Sequence, residues 1–169
     1  GADHVRTGDH DRAAHANGMS YLDMIRREGG PPALPDAIVL PAGEDDIAGV
    51  LAACAEHRVA VVPFGGGTSV VGGVEPARGG LDAVIALDLA RLDRLVDVDP
   101  VSRTATLEAG VLAPRAEELL AEHGFTLGHA PQSFERATIG GFAATRSAGS
   151  LSTGWGRFDD MVERVRAVT

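Results

Sequence analysis

A run of three glycines directly after an apolar segment limits what this chain can fold into. Residues 59–62 predict a β-strand, and Pro63-Phe64-Gly65-Gly66-Gly67-Thr68-Ser69 follows it. A glycine costs about 0.5–1 kcal/mol in a regular element, so clusters are typical of places that need a positive φ or a close backbone approach. Successive N–H groups in such a loop form a concave anion site. Residues 63–69 therefore predict a cradle for a phosphate or diphosphate, with a plain glycine turn as the open alternative.

The basic residues exclude the lysines that commonly assist phosphate binding. All 15 are arginine, so the chain has no phosphate-loop lysine, no Schiff-base lysine and no kinase-type lysine. A dinucleotide-binding Gly-x-Gly-x-x-Gly motif would need a glycine where the chain has Val70. Any anion on this loop is therefore bound by backbone amides, with hydroxyl donors added by Thr68 and Ser69.

Charge and composition narrow the functional classes. Of the 169 residues, 44% are hydrophobic, which is enough for a globular core, and the formal net charge is −9. Nucleic-acid binding needs clustered basic residues, so we expect no such partner. The single cysteine, Cys54, excludes an internal disulfide and a multi-cysteine metal site. We expect no bound metal, no transmembrane segment and a reducing, cytoplasmic location.

The hydrophobic pattern predicts an α+β fold. The lead-in should contain one helix that stops at residues 29–32, followed by a strand at 37–40 and a helix with an apolar stripe through Ile47, Val50, Leu51 and Cys54. Further strands are expected at 59–62, 84–87, 95–98 and 104–110. A helix at 112–120 ended by Gly124, a loop-rich segment at 128–156 and a strand at 161–168 complete the prediction. The first strand, helix and strand after the lead-in have the size of one βαβ crossover. A final strand with an uncovered edge predicts a chain that is truncated at its C-terminus.

A second glycine-dense segment lies about 70 residues after the first. Gly140-Gly141, followed by Ala143 and Ala144, would let a flat ligand lie against the main chain. Neutral donors and acceptors nearby come from Ser133, Thr138 and Thr145. One segment suits a diphosphate and the other a planar ring, so the pair predicts a dinucleotide with a large flat head.

The two segments together resemble a known flavoprotein superfamily. Residues 63–70 resemble the flavin diphosphate loop of the vanillyl-alcohol oxidase and p-cresol methylhydroxylase superfamily, and Thr138-Ile139-Gly140-Gly141 with Ala144-Thr145-Arg146 resembles its isoalloxazine segment. Within it, the chain is most similar to the alkyldihydroxyacetonephosphate synthase branch. That likeness rests on Arg12-Ala13-x-His15-x-x-Gly18, Gly128-His129-x-Pro131, Ser133-x-Glu135, Thr145-Arg146 and Gly154-x-Gly156 before Asp159-Asp160-Met161-Val162.

The resemblance implies an α+β FAD-binding domain of the p-cresol methylhydroxylase type at residues 35–169, after a helical lead-in at 1–34. A small βαβ lobe at about 35–70 and a larger β-rich lobe from about 80 would hold FAD in the crevice between them. Catalytic residues of the family would lie beyond residue 169.

The resemblance also implies the cofactor contacts. The FAD diphosphate would be held by Pro63, Phe64, Gly65, Gly66, Gly67, Thr68 and Ser69. The flavin would be lined by Gln132, Ser133, Phe134, Glu135, Arg136, Ala137, Thr138, Gly140, Gly141, Thr145, Arg146, Ser147 and Ala148, with Thr138 near the reactive ring nitrogen. Gln132 and Arg136 depart from the branch, which has Asp and Phe there. Thr68 stands where some relatives attach flavin through histidine, so non-covalent FAD is implied.

The implied function is that of a flavoenzyme with a small-molecule or lipid substrate. In the synthase branch, a fatty alcohol replaces the acyl chain of an acyl-dihydroxyacetone phosphate to form an ether lipid. The alternatives are a 2-hydroxy-acid oxidoreductase of the D-lactate or glycolate dehydrogenase kind and a flavin-free structural or interaction module. Peripheral membrane contact and a homodimer stay open.

Several polar residues have competing interpretations. His4, His10 and His15 are expected to be solvated or locally structural, and His129 to hydrogen-bond within its loop or act in the site. Arg146 would pair with a phosphate or with an acidic neighbour.

Overall fold

A computed structural model describes residues 4–29 and 33–169, which form two compact units. The first comprises Gly1–Arg91 with Val168–Thr169, and the second comprises Leu92–Ala167. The first unit contains β1 (Val5–Arg6), α1 (Asp9–Ala14), α2 (Tyr21–Gly29), β2 (Ala37–Val39), α3 (Glu44–Glu56), β3 (Val59–Phe64) and β4 (Ala83–Asp88).

A four-stranded sheet in the order β1-β2-β4-β3 organises the first unit. Strands β2 and β3 each pair in parallel with β4, and β1 is antiparallel to β2. The central strand β4 is buried from Val84 to Asp88, as expected for a parallel strand covered on both faces. Pro63 lies in β3, at the edge of the sheet, where a missing N–H is tolerated. The predicted βαβ crossover is thus present, and it skips one strand.

The helix α3 follows the predicted pattern. Acidic residues occupy its first turn, where their negative charge interacts favourably with the helix dipole. Cys54 is buried on its apolar stripe. It packs along β3. The core below the sheet includes Ile38, Phe64 and Ala86.

The single helix predicted in the lead-in is wrong, because the described lead-in has two helices with a break between them. Ser20 and Asp23 form a reciprocal cap: the Asp23 N–H donates to Ser20 Oγ (3.0 Å) and the Ser20 N–H donates to Asp23 Oδ2 (2.9 Å). This cap starts a new helix at Tyr21. The predicted stop falls partly on residues 30–32, which lie outside the described residues.

The second unit contains β5 (Leu95–Asp99), β6 (Thr104–Leu107), α4 (Ala113–Ala121), α5 (Ile139–Thr145), α6 (Ser152–Trp155) and α7 (Phe158–Met161). Strands β5 and β6 form an antiparallel hairpin. Its core brings together Ala113, Ala137, Phe142 and Phe158.

Two expectations for this unit are wrong. It is not β-rich, since its described residues contain one hairpin, β5 and β6, beside four helices, and it spans fewer residues than the first unit. The strand predicted at 161–168 is also absent from the described chain: Met161 ends α7, and Val165 is 65% exposed. Alternation of apolar residues there does not reflect burial of one sheet face, so the uncovered strand edge expected at 161–168 is not present.

Candidate cofactor site

The glycine loop at residues 65–69 requires glycine at position 67 for two reasons. Gly67 has a φ of +63°, a conformation that L-residues adopt at a cost. A Cβ built on Gly67 would also lie 2.7 Å from Cζ of Phe64. The ring of Phe64, 9% exposed, therefore supports the loop from below.

The backbone donors of this loop are available to a ligand. Within the described residues, the N–H groups of Gly65, Gly66, Gly67, Thr68 and Ser69 donate no hydrogen bond to the protein. All are half-buried. A row of such amides needs an acceptor, and an anionic diphosphate supplies it. The residues present therefore fit the group that the sequence predicted.

The oxygen atoms of Ser69, at the end of the same loop, are engaged. The Ser69 carbonyl oxygen accepts the Met19 N–H at 2.7 Å, and Ser69 Oγ accepts the Gly73 N–H at 2.9 Å. A Cβ at Gly18 would lie only 2.2 Å from the Ser69 carbonyl oxygen. Ser69 thus anchors the loop through its oxygen atoms, while the loop N–H groups have no acceptor among the residues that the structure describes.

A buried histidine–aspartate pair lies beside the loop in the first unit. His15 Nε2 is 2.9 Å from Asp88 Oδ2, and the two residues are 9% and 8% exposed. The His15 ring packs on the Phe64 ring at a centroid distance of 4.4 Å. Burial lowers the pKa of His15, but hydrogen bonds to Asp88 and to the Asp11 carbonyl more than compensate, so that the pKa is raised.

In the second unit, Thr138 caps α5. Its Oγ1 accepts the Gly141 N–H at 3.2 Å, and the side chain is almost fully buried. The next amides are also paired: Ile139 N–H donates to the Val111 carbonyl and Gly140 N–H to the Ala109 carbonyl. What Thr138 can offer a ligand is therefore its hydroxyl hydrogen, because its oxygen serves the helix.

One face of α5 presents small residues to solvent. Gly141, Ala144 and Thr145 lie one turn apart and are exposed. Gly140 faces the other way, with its Cα against Ala109. Of the two glycines singled out in the sequence, one serves internal packing and the other contributes to a flat external surface.

The turn before α5 places its residues differently. Gln132, Glu135 and Arg136 are exposed, whereas Ala137 is buried and the half-buried Phe134 packs against the Phe142–Phe158 core. Hydrogen bonds from Arg136 and Ala137 N–H to the Ser133 carbonyl shape the turn.

The residues after α5 mainly hold the unit together. Ser147 Oγ lies 3.0 Å from His129 Nε2, and Arg146 donates from Nε to Asp159 Oδ2 at 2.9 Å. Arg146 thus pairs with an acidic neighbour, and its guanidinium holds the pKa of the Asp159 carboxyl below the usual value. Ala148 is exposed.

His129 is a core residue. It is 1% exposed and contacts the rings of Phe142 and Phe158 at 4.8 and 5.2 Å. Burial lowers its pKa, which favours a neutral ring.

Sequence reasoning missed Asp88 and Ala109, and it expected His15 to be solvated or locally structural without its pairing to Asp88. His15 belongs to the Arg12–Gly18 motif, which could have indicated a buried role. Asp88 ends an apolar strand, a position where a carboxylate needs a partner. No group of metal-ligating side chains is found in residues 4–29 and 33–169, and no described helix has the length and apolar character needed to cross a membrane.

The family model described as FAD binding domain matches residues 35–169. The chain belongs to this family. As an FAD-binding domain it is 40% identical over 169 residues to the alkyldihydroxyacetonephosphate synthase of Trypanosoma brucei brucei, covering 99% of this chain and 28% of that protein. A solved structure of alkyldihydroxyacetonephosphate synthase matches with a TM-score of 0.89 and 33% identity, over 96% of this chain and 30% of that one.

FAD-linked oxidoreductases are also similar to this FAD-binding domain. The glycolate oxidase subunit GlcD of Bacillus subtilis is 33% identical over 129 residues, which is 76% of this chain and 27% of that protein. The chain spans less than a third of the length of the relatives it matches. The cofactor of the family is FAD, and the mixed helix and strand architecture agrees with the predicted fold class.

Proposed function

We propose that this chain holds FAD non-covalently, with the diphosphate on residues 63–69. The observation that carries the proposal is the row of N–H groups from Gly65 to Ser69, which donate to no described residue, beside the already engaged oxygen atoms of Ser69. An anion with two phosphates can accept several of these donors at once. Pro63 and Phe64 would help to position the backbone of the loop and to pack beneath it, since Phe64 is buried under Gly67.

The flavin ring would lie against residues 132–148 of the second unit. The exposed Gly141 and Ala144 offer a flat surface, and the Thr138 hydroxyl offers one donor. Ser133 and Thr145 would add polar contacts at the margin. When bound, FAD supplies the ring on which the chemistry takes place. This chain's residues bind it, orient it and fix its diphosphate.

The absence of a covalent link follows from Thr68. The resemblance indicates that covalent relatives attach flavin through a histidine nitrogen. The threonine at this position has a hydroxyl and lacks that nitrogen. We expect all FAD to be released into solution when the purified protein is precipitated with acid, which fluorescence of the supernatant measures.

For the whole protein, we propose the ether-forming exchange of the synthase branch. A fatty alcohol would replace the fatty acid of an acyl-dihydroxyacetone phosphate, so that one carbon–oxygen bond forms as another breaks, without net oxidation. Support comes from the 40% identity over nearly the whole chain and from the motifs shared with that branch. The substrate would be a lipid, the compartment cytoplasmic, and nucleic acid no partner.

The second candidate is a 2-hydroxy-acid oxidoreductase, favoured by the similarity to glycolate oxidase subunit GlcD. One experiment separates the two. The purified protein, as the 169 residues and as any longer form that the gene encodes, is titrated with FAD and examined by visible absorption. It is then mixed anaerobically with a 2-hydroxy acid, or with acyl-dihydroxyacetone phosphate and a fatty alcohol.

An ether product without lasting bleaching supports the synthase. Bleaching by the hydroxy acid alone supports the oxidoreductase. If every form of the protein stays colourless and does not quench FAD fluorescence, the FAD proposal is wrong.

A further inference from the structure

The lead-in residues contact the glycine loop at both of its ends. His15 packs on Phe64, which precedes the loop, and the Met19 N–H donates to the Ser69 carbonyl oxygen, which ends it. All these residues belong to the first unit. A segment that the sequence presents as a separate helical lead-in is therefore part of the structure that shapes the loop.

The hydrogen bonds of His15 define its charge. Nδ1 is 2.7 Å from the Asp11 carbonyl oxygen, which can only accept, so Nδ1 carries a hydrogen. Nε2 is 2.9 Å from Asp88 Oδ2, and an ionised carboxylate also only accepts. Both ring nitrogens thus face acceptors, and only the imidazolium satisfies both.

Asp88 is held in turn by the sheet. Its Cα is the register partner of the Phe64 Cα in the parallel pair β3 and β4. Its Oδ1 accepts the Ala90 N–H at 2.9 Å, and the Leu89 N–H donates to the Phe64 carbonyl oxygen at 3.1 Å. The carboxylate that binds His15 is therefore fixed at the strand ends from which the loop emerges.

We infer that His15 is a positioning residue for the FAD diphosphate loop: as an imidazolium bound to Asp88, it fixes the Phe64 ring on which Gly67 rests. This inference builds on the proposed FAD site. The contact series runs from Asp88 to His15, from His15 to Phe64 and from Phe64 to Gly67. The hydrogen bonds and ring contact of His15 in the described structure are with Asp11, Asp88 and Phe64, so it acts on the loop through Phe64.

Charge makes the arrangement dependent on pH. The charged groups that face His15 are Asp88 from β4 and Asp11 from its own helix, and both favour the imidazolium. The pKa of His15 is raised above 6.5 in the folded protein. The ion pair of His15 with Asp88 is therefore complete at lower pH and is lost as the pH rises through the pKa that His15 has in the folded state. A neutral ring can keep only one of its two hydrogen bonds.

The test uses the full chain and compares His15→Gln and Asp88→Asn with His10→Gln. His10 lies in α1, the helix that His15 caps at its C-terminus, is exposed, and serves as the matched control. Three quantities are measured: the protonation of the histidine rings by ¹⁵N NMR, amide hydrogen exchange in the absence of FAD, and the dissociation constant for FAD as a function of pH.

We expect the His15 ring to keep two hydrogens to a higher pH than the ring of an ordinary exposed histidine does. In His15→Gln, exchange of the Met19 and Leu89 amides should accelerate about tenfold or more without FAD, and FAD affinity should fall about tenfold. FAD affinity of the wild type should weaken with rising pH. Asp88→Asn should move that transition to lower pH, which a role in packing alone would not do, and His10→Gln should change none of these quantities.

The outcomes separate this inference from the proposed function. A His15 ring that loses its second hydrogen at or below the pH typical of an exposed histidine, or a His15→Gln protein with wild-type exchange and an unchanged pH profile of FAD affinity, would overturn the positioning role while FAD binding stands. Accelerated exchange in His15→Gln, together with a wild type that never binds FAD, would uphold the effect of His15 on the loop and reject the FAD site.

Discussion

Gly140 lies against Ala109 with no space for a side chain. A Cβ at position 140 would come within 2.7 Å of the Ala109 Cβ and 2.8 Å of the Ala109 carbonyl oxygen, while the Gly140 N–H donates to that same oxygen at 2.9 Å. The start of α5 is therefore pressed onto the segment that follows β6, and the position of the helix depends on the absence of one methyl group.

Gly140→Ala should lower the free energy of unfolding by about 1–3 kcal/mol, because the new methyl group overlaps backbone atoms that cannot move away freely. Urea unfolding followed by circular dichroism measures the change. Gly49→Ala is the matched control, since Gly49 lies within α3 and has no neighbour near its hypothetical Cβ. It should stabilise the protein by roughly 0.5–1 kcal/mol. Equal effects of the two substitutions would contradict the packing described.

Gly67→Ala should weaken FAD binding about tenfold or more, because the added methyl group meets the Phe64 ring and displaces the loop. FAD fluorescence quenching measures the affinity. Gly79→Ala carries the same kind of positive φ, +57°, in open space. It should cost about 1–2 kcal/mol of stability from the backbone conformation alone and leave FAD affinity intact. If Gly79→Ala impaired FAD binding as much, strain and not the contact with Phe64 would be responsible.

Thr138→Ala should destabilise the second unit by about 1 kcal/mol through loss of the cap on α5. Thr138→Ser keeps an oxygen for the Gly141 N–H and should retain most of the stability. Thermal unfolding of the two variants provides the comparison. Identical unfolding of both would show that the hydroxyl does not hold the helix.

Acidification should destabilise the protein through His129. Its pKa is lowered by burial in the folded state, so the unfolded chain takes up a proton first as pH falls below about 6.5, and stability falls with it. Urea midpoints measured from neutral to mildly acidic pH test this. His129→Gln can keep a hydrogen bond to Ser147 but does not titrate, so its pH dependence should be flatter. A wild-type slope in this variant would assign the effect to another group.

Beyond the lead-in, the strands and the helix of the first unit were predicted well because their apolar patterns had one interpretation. The run of apolar residues at 84–87 is a buried central strand, and the stripe from Ile47 to Cys54 is the inner face of a helix. Gly67 needs the backbone freedom that its place in the glycine run indicated. In each case, local pattern and tertiary burial agree.

In the second unit, the strands β5 and β6 and the helix α4 were predicted, but the part from residue 128 onward was predicted poorly for a physical reason. Ile139-Gly140-Gly141-Phe142 has low helix propensity, and its helix depends on the Thr138 cap and on burial of Phe142 against Phe158. Neither contact is visible from propensity. His15 and Asp88, which are 73 positions apart, could not be paired from sequence spacing either. The assignment of individual residues to the FAD contacts remains a prediction.

The hydrogen bond from Met19 to Ser69 bears on how this protein can be dissected. The family match begins at residue 35, yet an anchor of the glycine loop lies sixteen positions earlier, and His15 lies earlier still. A shortened chain that starts at residue 35, where the family match begins, would retain every glycine of the loop. It would lose the segment that holds the loop in its conformation. If such a shortened chain did not retain the yellow colour of bound FAD, the cause would be the loss of this supporting segment. The result would not test whether the loop itself can bind FAD.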